Sequence, residues 1–343
     1  MPDLDTQLRN LADHRAAQVP EHPVGATEDT DAETIEFEAP TERPKRGKGR
    51  ILVAAAVITT ILGMWTAMWL TTDGDTQTVL TPLPAVPIPE RGIVERSDWA
   101  RALDDLETPS TFVVARVGGE EPIQAAVPSR ALERFRPAST YKLVNALLFL
   151  EEGVVDDLFD DPIEWDGVDR GISAWNQDQT LSSAIQSSAV WAFERWSAEL
   201  DPGVAAAFVD EIDYGNQAVG DASGTYWLDG DLEISAVEQL AFLEAMVAGE
   251  LPVDVQNQAN ILGNITGGPE LPAGGIRYKT GTALAEPEPV AWLVGFVKTG
   301  DATWVFALNA DLPRDETGAP GPIPTEDRVD VVMELLRAAE IVE

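Results

Sequence analysis

The sequence predicts an α/β domain of the α+β kind, an antiparallel sheet flanked by helices plus an all-helical region, preceded by one transmembrane helix. Three observations carry that expectation. Residues 51–72, "ILVAAAVITTILGMWTAMWLTT", hold no charge and are closed by Asp73. Residues 93–343 open with a helix and a strand, pass through a helix-rich middle, and end with three strand-like segments and a helix. Strands that follow one another through tight turns pair antiparallel, and no strand–helix–strand repeat of a parallel sheet is visible.

The first 50 residues form an acidic cytoplasmic tail ending in a basic stop, "KRGKGR" at 45–50. Residues 1–44 show no sustained hydrophobic periodicity and read as disordered. The run 51–72 is long enough to span a bilayer core of about 30 Å. A secretory signal peptide would have a shorter apolar core at the extreme N-terminus. Trp65 and Trp69 suit the membrane interface. Basic residues before the span and Asp73 and Asp75 after it orient the chain. The expectation is a single-pass protein of the inner (cytoplasmic) membrane, with a cytoplasmic N-terminus and a periplasmic, extracytoplasmic domain. Residues 73–92 follow as a Pro-rich linker, with four prolines in "TPLPAVPIPERG". Residues 93–343 form the domain.

Within it, "SDWARALDDL" reads as a helix capped by Ser97 or Asp98. "TFVVARV" reads as a strand, followed by the Gly118-Gly119 turn. "RFRPASTYKLVNALLFLEEG" reads as a helix ending at Gly153 as C′. "VEQLAFLEAMVAG" is a strongly periodic helix. "GIRYKTGTA", "PVAWLVGFVKTG" and "ATWVFALNADL" read as strands, the last two joined by a hairpin turn at "TGD". "RVDVVMELLRAAEI" closes the chain as a helix.

Composition removes several chemistries. The 343 residues carry 23 Lys plus Arg against 59 Asp plus Glu, a formal net charge of -36. Such a charge repels nucleic acid, so no nucleic-acid partner is expected. It fits either a solvated acidic surface or adaptation to a salty habitat. There are no cysteines, and the two histidines, His14 and His22, precede the domain. A Ser-His-Asp triad, a Cys-His pair and HExxH zinc chemistry are therefore absent from residues 93–343. No GxxxxGK[ST] or GxGxxG motif is present. An acyl-transfer enzyme on this chain needs Ser or Thr as nucleophile and Lys or a carboxylate as base.

Ser139 and Lys142 open an apolar helix at spacing i, i+3, which places them on one face about 5 Å apart. The helix start favours a developing anion through its unpaired N–H groups and dipole. Burial among Leu143, Leu147 and Leu148 would lower the lysine pKa and leave a neutral amine. Taken alone, the pair reads rather as a capping serine and a lysine that snorkels to solvent. Four further segments accompany it: Ser188-Ala189-Val190, Tyr214-Gly215-Asn216, "YWLDG" around Trp227, and Lys279-Thr280-Gly281.

S-x-x-K followed by K-T-G marks the penicillin-recognising serine enzymes. With S-x-V and Y-G-N between them, the chain resembles the class D (OXA-type) serine β-lactamases over nearly all of residues 93–343. The resemblance implies a β-lactamase/DD-peptidase-like fold and a serine hydrolase of β-lactams. It implies Ser139 as nucleophile and Lys142 as general base after carbamylation by CO2 or bicarbonate, with no other cofactor and no metal. Val190 and Trp227 match residues lining the lysine pocket, the indole N–H of Trp227 holding the carbamate. Ser188 matches a proton relay towards the leaving nitrogen, and Lys279 a cation assisting it. Thr280 would bind the substrate carboxylate, Gly281 would let substrate approach the strand, and Thr282 would supply the second oxyanion N–H beside Ser139. Tyr214 and Asn216 read as a turn bordering the cleft or as direct contacts. The carboxylate-binding arginine of the family is assigned to Arg328, with Arg314 second. Partners implied are β-lactam small molecules, peptidoglycan stem peptides if the chain is instead a penicillin-binding transpeptidase or carboxypeptidase, and the membrane through residues 51–72. A non-hydrolysing β-lactam sensor is a third reading; the tail lacks the HExxH of a linked metalloprotease. Neither oligomeric state nor substrate spectrum is readable from the sequence.

Overall fold

The computed structural model describes residues 91–343 apart from 202, 221–224, 268–274, 286 and 301. The expected tail at 1–50, the span at 51–72 and the linker up to residue 90 lie outside the described residues. Among the described residues no helix is long and apolar enough to cross a membrane.

The apolar runs of the sequence become strands buried on both faces. In chain order the strands are β1 (Ile93–Glu95), β2 (Ser110–Arg116), β3 (Ile123–Ala125), β4 (Arg134–Phe135), β5 (Ile234–Ser235), β6 (Thr266–Gly267), β7 (Ile276–Ala283), β8 (Val290–Thr299) and β9 (Ala302–Asp311). Seven form one sheet in the order β1-β3-β2-β9-β8-β7-β6, and β4 pairs with β5 separately. The sheet is antiparallel throughout except where β1 meets β3. Side chains alternate across it with period 2. Val113, Ala115, Trp292, Val294, Val305 and Ala307 enter one core, while Phe112, Val114, Leu293, Val297, Phe306 and Leu308 enter a second.

The helices divide between these cores: α1 (Ala100–Asp104), α2 (Pro128–Ala131), α3 (Lys142–Glu151), α4 (Leu181–Ser187), α5 (Val190–Ser197), α6 (Val204–Glu211), α7 (Ala236–Ala248), α8 (Val255–Asn264) and α9 (Thr325–Ala338). Residues of α1 and α9 cover the second core. The helical region from α3 to α8 covers the first. α3 packs against α4, α5 and α8. It ends as the sequence predicts, with Gly153 left-handed at φ 67°. α7 starts at a capping box in which Ser235 Oγ accepts from the Glu238 N–H and the Glu238 carboxylate accepts from the Ser235 N–H.

Two boundaries differ from expectation. Ser97 and Asp98 do not cap α1; residues Ser97–Trp99 form a 3-10 turn with no side-chain cap. The Asp98 carboxylate instead takes the Arg96 guanidinium at 2.7 and 2.9 Å, and that guanidinium lies 4.4 Å from the Trp99 ring centroid. Arg91, expected in the linker, belongs to the folded body. It is buried, donates to the Glu244 carboxylate at 2.6 Å and to the Arg116 carbonyl at 2.8 Å. Glu244 is buried on α7, and burying its charge requires a partner.

Candidate active site

Ser139 sits on the 3-10 turn Ala138–Tyr141 that feeds α3. The turn is fixed from three sides. The Ala138 N–H donates to the Trp227 carbonyl at 2.9 Å. Thr140 Oγ1 donates to the Pro137 carbonyl at 2.7 Å and accepts from Gln239 Nε2 at 2.9 Å. The turn also packs on β7. Ala138 holds φ 51°, a left-handed conformation unusual for a side-chain-bearing residue. Such strain persists only where the surroundings over-determine the backbone.

Lys142 is wholly buried, and its Nζ lies 2.6 Å from Ser139 Oγ and 3.5 Å from Ser188 Oγ. The snorkelling alternative is thereby excluded. Burial pushes its pKa well below the ordinary lysine value; Lys279 adds to the fall and Glu194 opposes it. A buried ammonium without close compensation gives up its proton, so the amine is poised as a base.

Ser188 occupies the break between α4 and α5 in a left-handed conformation, φ 56°. Its hydroxyl accepts from Lys279 Nζ at 2.8 Å. Ser139, Lys142, Ser188 and Lys279 thus form one buried chain of polar atoms drawn from the nucleophile turn, α3, the α4–α5 break and β7. Burial lowers the Lys279 pKa to about 7, with the Arg328 charge second.

Period-2 alternation puts Lys279, Gly281 and Ala283 on the face of β7 towards the helical region. A Cβ on Gly281 would stand 2.9 Å from the Pro137 carbonyl and 3.1 Å from Thr140 Cγ2. The glycine therefore lets the strand approach the nucleophile turn, a closer constraint than the substrate access expected from sequence. Thr280 and Thr282 share the pleat of Ile276 and Tyr278, the face that α9 covers. From α9, Arg328 donates to the Gly281 carbonyl at 3.2 Å and the Trp292 carbonyl at 3.1 Å. The resemblance assigned Arg328 to the substrate carboxylate; at 1% exposure it is instead buried against these backbone carbonyls, which was not anticipated. Arg314 lies apart in the loop before α9, donating to Gly318 at 2.8 Å.

Val190 is buried at the first turn of α5, one helical turn before Phe193. The Phe193 ring lies 5.4 Å from Lys142 Nζ. Trp227 is wholly buried and stacks on Tyr141 at 5.7 Å, next in sequence to Lys142. Its indole N–H has no hydrogen-bond partner among the described residues. Tyr214 and Asn216 are structural: Tyr214 packs edge-on to Tyr141 at 5.5 Å, and Asn216 Oδ1 accepts from the Ala218 and Glu233 N–H groups. Gly215 between them has φ 59°, and a Cβ there would stand 2.1 Å from the Glu233 carbonyl.

Residues 113–326 match the family model of the penicillin-binding protein transpeptidase domain. The chain is 36% identical over 228 residues to β-lactamase OXA-15 of Pseudomonas aeruginosa, covering 65% of this chain and 80% of that one. It is 36% identical, with the same coverage, to β-lactamase OXA-2 of Salmonella typhimurium. The crystal structure of the class D β-lactamase FUS-1 (OXA-85) from Fusobacterium nucleatum subsp. polymorphum superposes with a TM-score of 0.66 at 28% identity, over 73% of this chain and 100% of that one. The chain belongs to the class D serine β-lactamase family.

The surroundings of Lys142 would fit the CO2-derived carbamate expected there from the sequence resemblance. Lys142 is buried enough to be neutral, and Trp227 brings a buried donor that lacks an acceptor. Sequence reasoning missed several residues of this class D site. Phe193 follows Val190 by i+3 on the apolar side of α5, and helical periodicity could have found it. Gln239, which pins Thr140 from α7, and Glu194, whose charge reaches Lys142, carry no local signal.

Proposed function

We propose that this enzyme hydrolyses β-lactams through an acyl-enzyme on Ser139. The observation that carries the reading is the wholly buried Lys142 amine, 2.6 Å from Ser139 Oγ, in a domain without any histidine. Lys142 takes the serine proton as Oγ attacks the lactam carbonyl. The backbone N–H groups of Ser139 and Thr282 receive the oxyanion, a contribution of several kcal/mol in comparable sites. Ser188 passes a proton to the departing nitrogen and Lys279, 2.8 Å away, resupplies it. Lys279 orients the substrate carboxylate from the site face of β7, while Arg328, buried on the other face, holds the Gly281 carbonyl. When bound on Lys142, the carbamate would supply the general base both for the serine proton and for the water of deacylation. Val190, Phe193 and Trp227 keep the Lys142 pocket apolar and hold that base in place.

The transpeptidase family match supports a second reading, in which Ser139 is acylated by β-lactams but released slowly, as in a penicillin-binding protein. Steady-state hydrolysis of a chromogenic cephalosporin, with and without bicarbonate, separates the two. Bicarbonate-stimulated turnover supports the lactamase; a stoichiometric burst without turnover supports the second reading. The proposal includes a tether: residues 51–72 anchor the domain outside the cytoplasmic membrane, supported by the uncharged run and its basic flank. Protease added to intact spheroplasts should digest the domain; protection would refute the orientation.

A further inference from the structure

Asn145 lies inside α3, within "LVNALLF", and is wholly buried. Neither its amide nitrogen nor its carbonyl oxygen has a hydrogen-bond partner among the described residues. Leaving a buried polar group unpaired costs about 1–3 kcal/mol. An apolar residue of similar volume would avoid that cost, so the amide calls for a ligand.

Position says which ligand. Asn145 follows Lys142 by three residues, so the two share a face of α3, and helical side chains lean towards the N-terminus. Phe149, four residues further, packs 5.9 Å from the Phe193 ring, the same ring that lies under Lys142 Nζ. Asn145 therefore belongs to the stripe of α3 that forms the lysine pocket. Trp227, stacked on Tyr141 next in sequence to Lys142, also carries a buried donor without a partner among the described residues.

Resting on the carbamate reading above, we infer that Asn145 binds the carbamate on Lys142, its Nδ2 donating to one carbamate oxygen and its Oδ1 accepting the remaining Nζ–H. A primary amide and a carbamate present complementary donor and acceptor edges, so this pairing satisfies both orphaned atoms of Asn145 at once. Trp227 donates to the second oxygen. The covalent step is balanced: the neutral Nζ lone pair attacks the carbon of CO2, an N–C bond forms, one C=O pair moves onto oxygen, and one N–H proton leaves to buffer. No redox change occurs.

The test uses the full chain and [13C]bicarbonate. Carbamate occupancy is read by 13C NMR, and thermal melting is followed with and without bicarbonate, for the parent, Asn145→Leu, Asn145→Ala and Lys142→Ala. The parent should show a carbamate signal that Lys142→Ala lacks. Asn145→Leu should need at least about tenfold more bicarbonate, the loss expected for a hydrogen bond to a charged group. In CO2-free buffer Asn145→Leu should melt at or above the parent temperature, and bicarbonate should raise the melting temperature of the parent alone. Asn145→Ala repeats the occupancy test if leucine disturbs packing. Equal bicarbonate dependence in the Asn145 variants and the parent would overturn the role of Asn145 and leave the carbamate standing. A parent indistinguishable from Lys142→Ala would overturn the carbamate, and with it the role.

Discussion

Lys142 Nζ lies 2.6 Å from Ser139 Oγ while the lysine side chain is wholly buried. In the proposed mechanism this pairing takes the place that an imidazole holds in other serine hydrolases. Lys142→Ala should remove the base from both halves of the reaction. Loss of a general base costs roughly 10²–10⁴-fold in rate. Pre-steady-state kinetics should show slow acylation and an acyl-enzyme that outlasts the parent's; a rate equal to the parent's would remove Lys142 from the mechanism.

Ser188 joins Lys142 to Lys279 through one hydroxyl. Ser188→Ala should lower kcat by roughly 10²-fold or more through the lost proton relay. The fold should hold, because the position is a helix break in which only the hydroxyl is replaced. Circular dichroism and steady-state kinetics check both parts.

The two buried lysines set the pH dependence of stability. Lys279 titrates at about 7 in the fold against an ordinary 10.5, and Lys142 is also lowered. Between these values the unfolded chain binds more protons than the folded one, so stability should rise with pH, by up to about 1.4 kcal/mol per unit for each lysine. Above pH 10 the sign reverses, because burial raises the Tyr141 pKa and raises that of Tyr226 to about 12. Urea denaturation of CO2-free protein should give a maximum near pH 10; a maximum near neutrality would contradict the buried neutral lysines.

A methyl group on Gly281 would meet the backbone of Pro137 and Thr140. Gly281→Ala should therefore push β7 away from the nucleophile turn, costing about 1–3 kcal/mol, and slow acylation. Differential scanning calorimetry and single-turnover kinetics should fall together. A fully stable variant with parent acylation would show that the contact is not close.

Arg91 and Glu244 form a buried ion pair far from the site in sequence. Breaking one partner leaves an uncompensated charge, so Arg91→Ala should cost about 3 kcal/mol. Below the melting transition, turnover should be unchanged, separating stability from catalysis.

How much of this was legible follows from the range of each signal. Ser139 and Lys142 are i, i+3 neighbours, and that spacing alone places them together. The strands β8 and β9 were readable because both faces are buried along most of their length and their sequences are mostly apolar. The approach of Ser188 to Lys279, 91 residues apart, came only through motif resemblance. Arg91 escaped because its partner Glu244 lies 153 residues away, and nothing local marks a linker residue as buried. Arg328 was assigned to the substrate carboxylate by resemblance, and its burial depends on how α9 packs under the sheet. Asn145 looked like one polar residue in an apolar helix, and only the structure shows that it has no partner.

The central claim is that the acyl bond on Ser139 forms and is released. Rapid-quench mass spectrometry of the full chain with a chromogenic cephalosporin, in bicarbonate buffer, tests it directly. An adduct on the peptide bearing Ser139 is expected during turnover, with its loss when substrate is exhausted and none in Ser139→Ala. An adduct that persists stoichiometrically after substrate removal, or one on any other residue, would contradict it.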